Sequence, residues 1–136
     1  MKYKEVKWHY DSGDLKYHYF LAENGDKHGE CRTYYENGKL RSHEFSLSGY
    51  RYGEVKWFNK DGTLEHHYLV DGNSIRLAYV VSMAEPSTHS EEQLIQIAKE
   101  HGLPLLSELP KTEAELTHWN LKYPDIPCIP YTEVLE

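Results

Sequence analysis

The sequence predicts an α+β fold, an antiparallel meander of about six β-strands, with room for a seventh, packed against two C-terminal helices. Three observations predict it. A segment recurs three times in the first 74 residues, glycine-containing turn signals follow the same period, and two helix-capping patterns come after residue 90. We therefore divide the chain into a β-hairpin-repeat part, residues 1–74, and an acidic part, residues 75–136, with a strand, two helices and a proline-rich tail.

The internal repeat organises the first part. Its three copies begin at Glu5, Glu30 and Glu54, a spacing of 25 and then 24 residues. Such a fixed period is typical of units that bury their apolar side by stacking on neighbours. Each copy predicts a hairpin with a tight two-residue turn, at Ser12-Gly13, Asn37-Gly38 and Asp61-Gly62. Asn-Gly and Asp-Gly suit the type I′ turn. Second turns are predicted near Asn24-Gly25, Gly49-Tyr50 and Asp71-Gly72, which gives six strands.

Turn position fixes the register between strands, so the two faces of the sheet can be predicted. One face, the aromatic face, is the more apolar, and we assign it to packing. Cys31 lies on it, where the other repeats have valine, and is expected to be a small core residue. In the first repeat this face carries Val6, Trp8, Tyr10, Leu15, Tyr17 and Tyr19, and the later repeats have equivalent positions.

The opposite face, the Glu–His face, carries a row of basic residues and histidines. The row is predicted to run Lys7, His18, Arg32, His43, Lys56, His67, with Glu5, Glu30 and Glu54 two residues along. Histidines on alternate strands lie roughly 9–10 Å apart, whereas zinc ligands converge to about 2.0–2.1 Å from one ion. We predict no metal here. The carboxylates favour a solvated, self-neutralised face, and a row that binds anions is the alternative.

The acidic part has its own signals. Ser74–Met83 alternates apolar and polar residues and could add a strand. Ser90-Glu-Glu-Gln93 and Thr112-Glu-Ala-Glu115 are capping boxes that open helices, and Gly102 is placed to end the first. Trp119 is a predicted core anchor. We expect the two helices to cover one face of the sheet, although the sequence leaves open which face that is.

Two of the three repeats resemble a known family. His28-Gly-Glu-Cys-Arg-Thr-Tyr-Tyr-Glu-Asn-Gly-Lys-Leu40 resembles the variant MORN repeat, and Gly53–Leu64 fits the same pattern. The first copy is degenerate, with Lys4 where the entry glycine would be. The resemblance covers residues 4–73 and implies stacked β-hairpins that contact proteins or lipids without a shared active site. Many bacterial proteins of this kind are labelled antitoxin-like.

Composition excludes several classes of function. The net charge of −7, most of it after residue 74, argues against a nucleic-acid binder. We find no apolar stretch long enough for a membrane span, and Cys31 and Cys128 suggest neither a disulfide framework nor a zinc site. We expect a cytoplasmic protein, in the host cytoplasm if it is phage-encoded. No phosphate loop, nucleophile elbow or metalloprotease motif occurs, so we predict no enzymatic activity and no cofactor.

The function predicted is that of a non-catalytic protein-binding module. We expect a small inhibitor or antitoxin-type protein of bacterial or phage origin that neutralises a toxin or defence enzyme, and it could also form homo-oligomers. The alternatives are a small enzyme, or a nucleic-acid mimic, using the His-rich face or the acidic C-terminal part.

The candidate partner surface is an aromatic stripe on the Glu–His face. His9, Tyr34 and Phe58 share one repeat position there, and Tyr50 and Tyr52 could extend it. Packing of the helices on this stripe is the alternative. If the stripe is exposed, Tyr34→Ala should leave the melting temperature nearly unchanged while weakening partner binding by ~1–2 kcal/mol.

Overall fold

The computed structural model describes residues 3–82 and 86–133, so Met83, at the end of the predicted strand, lies outside the described residues. Seven antiparallel strands form one sheet in the order of the chain, which confirms the predicted α+β meander. The strands are β1 Lys4–His9, β2 Leu15–Leu21, β3 Gly29–Tyr34, β4 Leu40–Leu47, β5 Tyr50–Phe58, β6 Leu64–Asp71 and β7 Arg76–Ser82. The helices are α1 Glu91–His101 and α2 Glu113–Lys122, with a short 3-10 helix, Leu106–Glu108, between them.

The register predicted from the turns is confirmed through the middle of every hairpin. Trp8 pairs with Tyr17 and Lys7 with His18. The row on the Glu–His face continues across the connections between repeats. Its successive pairs are Lys7 with His18, His18 with Arg32, Arg32 with His43, His43 with Lys56 and Lys56 with His67.

The hairpin turns differ from the prediction. In the middle repeat the Gly38 N–H donates to the Tyr35 carbonyl at 3.0 Å, and the Tyr35 N–H donates to the Lys39 carbonyl at 2.9 Å. The loop therefore has three residues, and only its glycine has a positive φ, 86°. The type I′ prediction for Asn37-Gly38 and Asp61-Gly62 was wrong, because that turn needs two positive φ angles and only the glycines have one. It occurs instead at Ser48-Gly49, with φ of 53° and 88°.

Gly38 offers a test of turn strain. Its positive φ is confirmed, and a Cβ built there would meet nothing within 4 Å. Gly38→Val should therefore lower the free energy of unfolding by ~1 kcal/mol or more through backbone strain alone. Urea denaturation monitored by circular dichroism measures this, and an unchanged midpoint would contradict it.

A β-bulge beside each turn changes which face the hairpin leucines occupy. Leu15 pairs with His9, Leu40 with Tyr34 and Leu64 with Phe58, after a register shift in each hairpin. The prediction that these leucines lie on the aromatic face was wrong. The extra residue of a bulge shifts the alternation by one position, so the leucines share the Glu–His face with their partners.

Both helices begin after the predicted N-cap residues, and α1 ends at the predicted glycine. The Ser90 hydroxyl accepts from the Gln93 N–H, and the Gln93 side chain accepts from the Ser90 N–H, which completes the capping box. Gly102 ends α1 with a left-handed φ of 66°. The Thr112 hydroxyl caps α2 by accepting from the Glu115 N–H. Trp119 is a core anchor, since its ring is stacked 5.7 Å from that of Phe45.

The C-terminal layer covers the Glu–His face. The assignment of the aromatic face to packing was therefore wrong for exposed residues such as Trp8, although Cys31 and Val55 on that face are buried. Leu69 packs with Leu94 and Ala98 of α1, while Phe45 packs with Trp119 and Tyr123. Phe20, Phe45 and Leu69 share one repeat position, two residues after the histidines, and all three are buried. These side chains supply the apolar surface on which a second layer can pack.

Candidate functional site

Each repeat pairs its entry glutamate with the histidine thirteen residues later. The distances between a histidine Nε2 and a glutamate Oε2 are 2.5 Å for His18–Glu5, 2.7 Å for His43–Glu30 and 2.6 Å for His67–Glu54. The prediction of a solvated face was wrong for the second and third pairs, because Glu30, Glu54 and His67 are buried. Burial of such groups is tolerated because they are hydrogen-bonded to one another.

Glu30 is engaged at both of its oxygens. Oε2 accepts from Arg32 Nε at 2.8 Å and lies 2.7 Å from His43 Nε2, and Oε1 accepts from the Ile129 N–H at 2.7 Å. Burial alone would raise the pKa of Glu30, but the hydrogen bonds and charges of His43 and Arg32 outweigh it and hold the pKa below its usual range. Glu30 is therefore a charged group within the core.

Glu54 repeats this arrangement with a different segment of the chain. Its Oε1 accepts from the Leu106 N–H at 2.7 Å and its N–H donates to the Pro104 carbonyl at 3.0 Å. In the same way the Glu30 N–H donates to the Pro127 carbonyl at 2.8 Å. We call Leu103–Leu106 and Ile126–Ile129 the docked segments, since each has an apolar residue, a proline, a variable residue and a second apolar residue.

The glycine before each glutamate allows the proline to approach. A Cβ on Gly29 would lie 2.5 Å from Pro127 Cγ, and one on Gly53 would lie 2.6 Å from the Pro104 carbonyl oxygen. Both glycines also have a positive φ, 109° and 87°. In the first repeat Lys4 takes the place of this glycine, and the Glu5 side chain is 36% exposed. A docked segment therefore contacts each of the two repeats that have the entry glycine.

The five residues predicted as a partner surface do not form one stripe. Tyr52 packs against both core clusters, and Tyr50 is 59% exposed and lines a cavity on the aromatic face. His9 is exposed, whereas Tyr34 and Phe58 are half-buried. The backbone carbonyls of Tyr34 and Phe58 accept from the Tyr10 and Tyr35 hydroxyls, each at 2.6 Å, which joins successive repeats. Partner binding by these five residues stays a prediction.

The aromatic face is left uncovered by the helices, and sequence reasoning did not identify it as a surface. Trp8 is 57% exposed on it. Basic side chains lie over its rings at 4.5–5.9 Å from the ring centroids, within the range of cation–π attraction. They are Lys16, Lys27, Arg41, Arg51 and Arg76. The bulges explain part of this pattern, because Lys16 and Arg41 are the extra residues of their strands.

A cavity of about 720 Å³ lies on this face between β4 and β7. Its acidic residues are paired, Glu44 with Arg51 and Glu65 with His66. Trp57 and Tyr68 contribute aromatic walls. The Nδ1 atom of His66 is buried and has no hydrogen-bond partner in the described part of the chain. A molecule seated here would meet aromatic surface, the Glu44–Arg51 ion pair and the basic residues Lys27 and Arg76.

The remaining candidate groups are thiols and metal ligands. Burial and the charge of Glu44 raise the pKa of the Cys31 thiol to about 12, which agrees with a core role. Burial and the charge of Glu30 raise the pKa of Cys128 to about 11. Within residues 3–82 and 86–133, no three His, Cys, Asp or Glu side chains are grouped so that they could hold a metal ion. No helix in the same ranges has the length and apolar character to cross a membrane.

Comparison with known families bears on the middle repeat. The Glu30–His43 pair, β3 and most of β4 lie in one stretch of the chain. Residues 27–45 match the family described as MORN repeat variant. The match confirms the resemblance that the sequence showed at this repeat. Repeats of this family often mediate protein or membrane binding and are in general not enzymes. No curated protein and no solved structure matches the chain.

Proposed function

We propose that the protein is a non-catalytic binding module that contacts another protein through its aromatic face. The observation that carries the proposal is the uncovered sheet face, on which five basic side chains lie over tyrosine and tryptophan rings. Tyrosine, tryptophan and arginine are the residues most enriched at the energetic centres of protein interfaces.

The charge on this face favours a partner surface that is acidic. The five basic residues outnumber Glu44 and Glu65 in the adjoining cavity, although the whole protein carries a net charge of −7. Complementary charge would orient such a partner and raise its rate of association. The rings already have cations over them, which supports carboxylate contacts more than base stacking by a nucleic acid.

Pairing of the ionisable groups supports binding more than catalysis. Glu44 and Glu65 each have a basic partner in the cavity, so neither stands as an unpaired acid or base. Within the binding class, we propose that the protein neutralises its partner, as an inhibitor or antitoxin of bacterial or phage origin would, in the cytoplasm. Its repeat of the MORN variant type and the aromatic residues of its uncovered sheet face support that role.

Affinity capture from the native host tests the surface. Wild type, Trp8→Ala, Tyr50→Ala and Leu121→Ala are used as baits, and Leu121, 79% exposed on α2, is the matched control. We expect one protein to be captured by the wild type and by Leu121→Ala. Binding of that protein to Trp8→Ala or Tyr50→Ala should be weaker by ~1–2 kcal/mol, measured by titration of the purified pair. Equal affinity of all four baits would contradict the proposed surface.

A further inference from the structure

A second cavity lies on the Glu–His face, between the two docked segments. Its volume is about 460 Å³, within the range of sites that hold small organic ligands. Three adjacent members of the row of basic residues and histidines line it, namely Arg32, His43 and Lys56. Lys111, in the segment before α2, also lines it. The structure thus gathers basic groups from three strands and from the C-terminal layer around one space.

The acidic groups near this cavity are already engaged. Glu30 bonds to Arg32, His43 and the Ile129 N–H, and Glu54 bonds to His67 and the Leu106 N–H. Arg32 donates to Glu30 through Nε, and its side chain also interacts with that of Tyr34. In the described ranges neither Lys56 nor Lys111 forms an ion pair by direct contact, although the charge of Lys56 acts on Glu54. Positive charge therefore exceeds negative charge around the space.

The rest of the wall is apolar. Phe58 and Tyr131 supply aromatic surface, and Leu106, Leu109 and Ile129 supply aliphatic surface. Leu109 and Ile129 are held in place by the core and by the docked segment. A ligand that fits has one anionic group for the basic side and an apolar body for the other side.

We infer that this cavity is a binding site for a small amphipathic anion, an aromatic or aliphatic group that bears a phosphate or carboxylate. The anionic group lies between Arg32, Lys56 and Lys111, where charge-assisted hydrogen bonds are available. The apolar body lies against Phe58 and Tyr131. The site is separate from the aromatic face, so its test does not depend on the proposed partner.

Calorimetric titration of the whole protein tests the site with defined probes. The probes are 1-naphthyl phosphate, its neutral analogue 1-naphthol, and inorganic phosphate. We expect 1-naphthyl phosphate to bind about tenfold or more tightly than either of the other two. Lys56→Gln combined with Lys111→Gln should weaken that binding about tenfold. Lys16→Gln combined with Lys27→Gln removes the same charge from the aromatic face and should leave it unchanged.

Two results would overturn the inference. One is equal affinity for 1-naphthyl phosphate and 1-naphthol, and the other is equal loss in the two double variants, which would show a general effect of charge. Vesicles of phosphatidylcholine mixed with phosphatidic acid identify the source of the anion. Binding to vesicles that is lost only in the Lys56/Lys111 variant assigns the site to a lipid head group. Binding of 1-naphthyl phosphate without vesicle binding assigns it to a free molecule.

Discussion

Gly53→Ala should lower the free energy of unfolding by ~3 kcal/mol or more. The backbone at residue 53 has a φ of 87°, which strains an alanine. The new Cβ would also lie 2.6 Å from the Pro104 carbonyl oxygen, so the docked segment Leu103–Leu106 must move. This movement breaks two hydrogen bonds, from the Glu54 N–H to the Pro104 carbonyl and from the Leu106 N–H to Glu54 Oε1. The Glu54 carboxylate then lacks one of its partners in the core. Urea denaturation measures the total cost.

Gly13→Ala is the matched control. Gly13 also has a positive φ, 94°, but nothing lies within 4 Å of its Cβ position. It should lose only the ~1 kcal/mol of backbone strain. Amide hydrogen exchange gives a second readout, because the Glu54 and Leu106 N–H groups should exchange faster in Gly53→Ala and not in Gly13→Ala. Equal destabilisation by the two substitutions would show that contact with Pro104 adds nothing.

The register of the sheet could be predicted because glycine turns fix where each hairpin pairs. The row from Lys7 to His67 followed from turn positions alone, and the structure contains it. The bulges could not be predicted in the same way. A three-residue loop and a two-residue turn both use the pair Asn-Gly, and only hydrogen bonds such as that from the Gly38 N–H to the Tyr35 carbonyl distinguish them.

The aromatic face was assigned to packing because charge on the opposite face was taken as a sign of solvent, whereas the face that the helices cover was left open. Glu30 and His43 are polar, yet they are hydrogen-bonded to each other. The second carboxylate oxygen of Glu30 accepts a hydrogen bond from the Ile129 N–H. The sequence does contain a signal for the correct face. Phe20, Phe45 and Leu69 recur at one repeat position beside the histidines, and an apolar position repeated with the period of the fold is typical of a core.

The exposure of the candidate surface residues depends on which face the helices cover. Phe58 lines the cavity between the two docked segments, and Tyr52 packs against both core clusters, while partner binding by either residue stays a prediction. Trp8 was expected in the core and is exposed. The acidic part decides these outcomes through long-range contacts, such as Ile129 with Glu30, that no local pattern encodes.

Glu30→Gln should have a large effect on stability, with a dependence on pH that identifies its cause. Removing the charge leaves Arg32 and His43 without the carboxylate they share, and breaking a buried pair costs ~3–5 kcal/mol. Because the folded protein holds the pKa of Glu30 and Glu54 below the usual range, the carboxylates stabilise it above the unfolded pKa of about 4.3. That stability is lost as the pH falls through the folded pKa.

Wild type should therefore unfold more readily below about pH 4.3, and Glu30→Gln should show a shallower loss over the same range because one such carboxylate is gone. Glu5→Gln is the matched control. Glu5 also pairs with a histidine, but it is 36% exposed and has Lys4 before it where the other repeats have glycine. Because the Glu5 carboxylate is partly exposed to water, Glu5→Gln should cost less than Glu30→Gln, although His18 is buried. If both substitutions cost the same near neutral pH, burial by the docked segment would not be the source of the Glu30 effect, and the Glu–His pair alone would account for it.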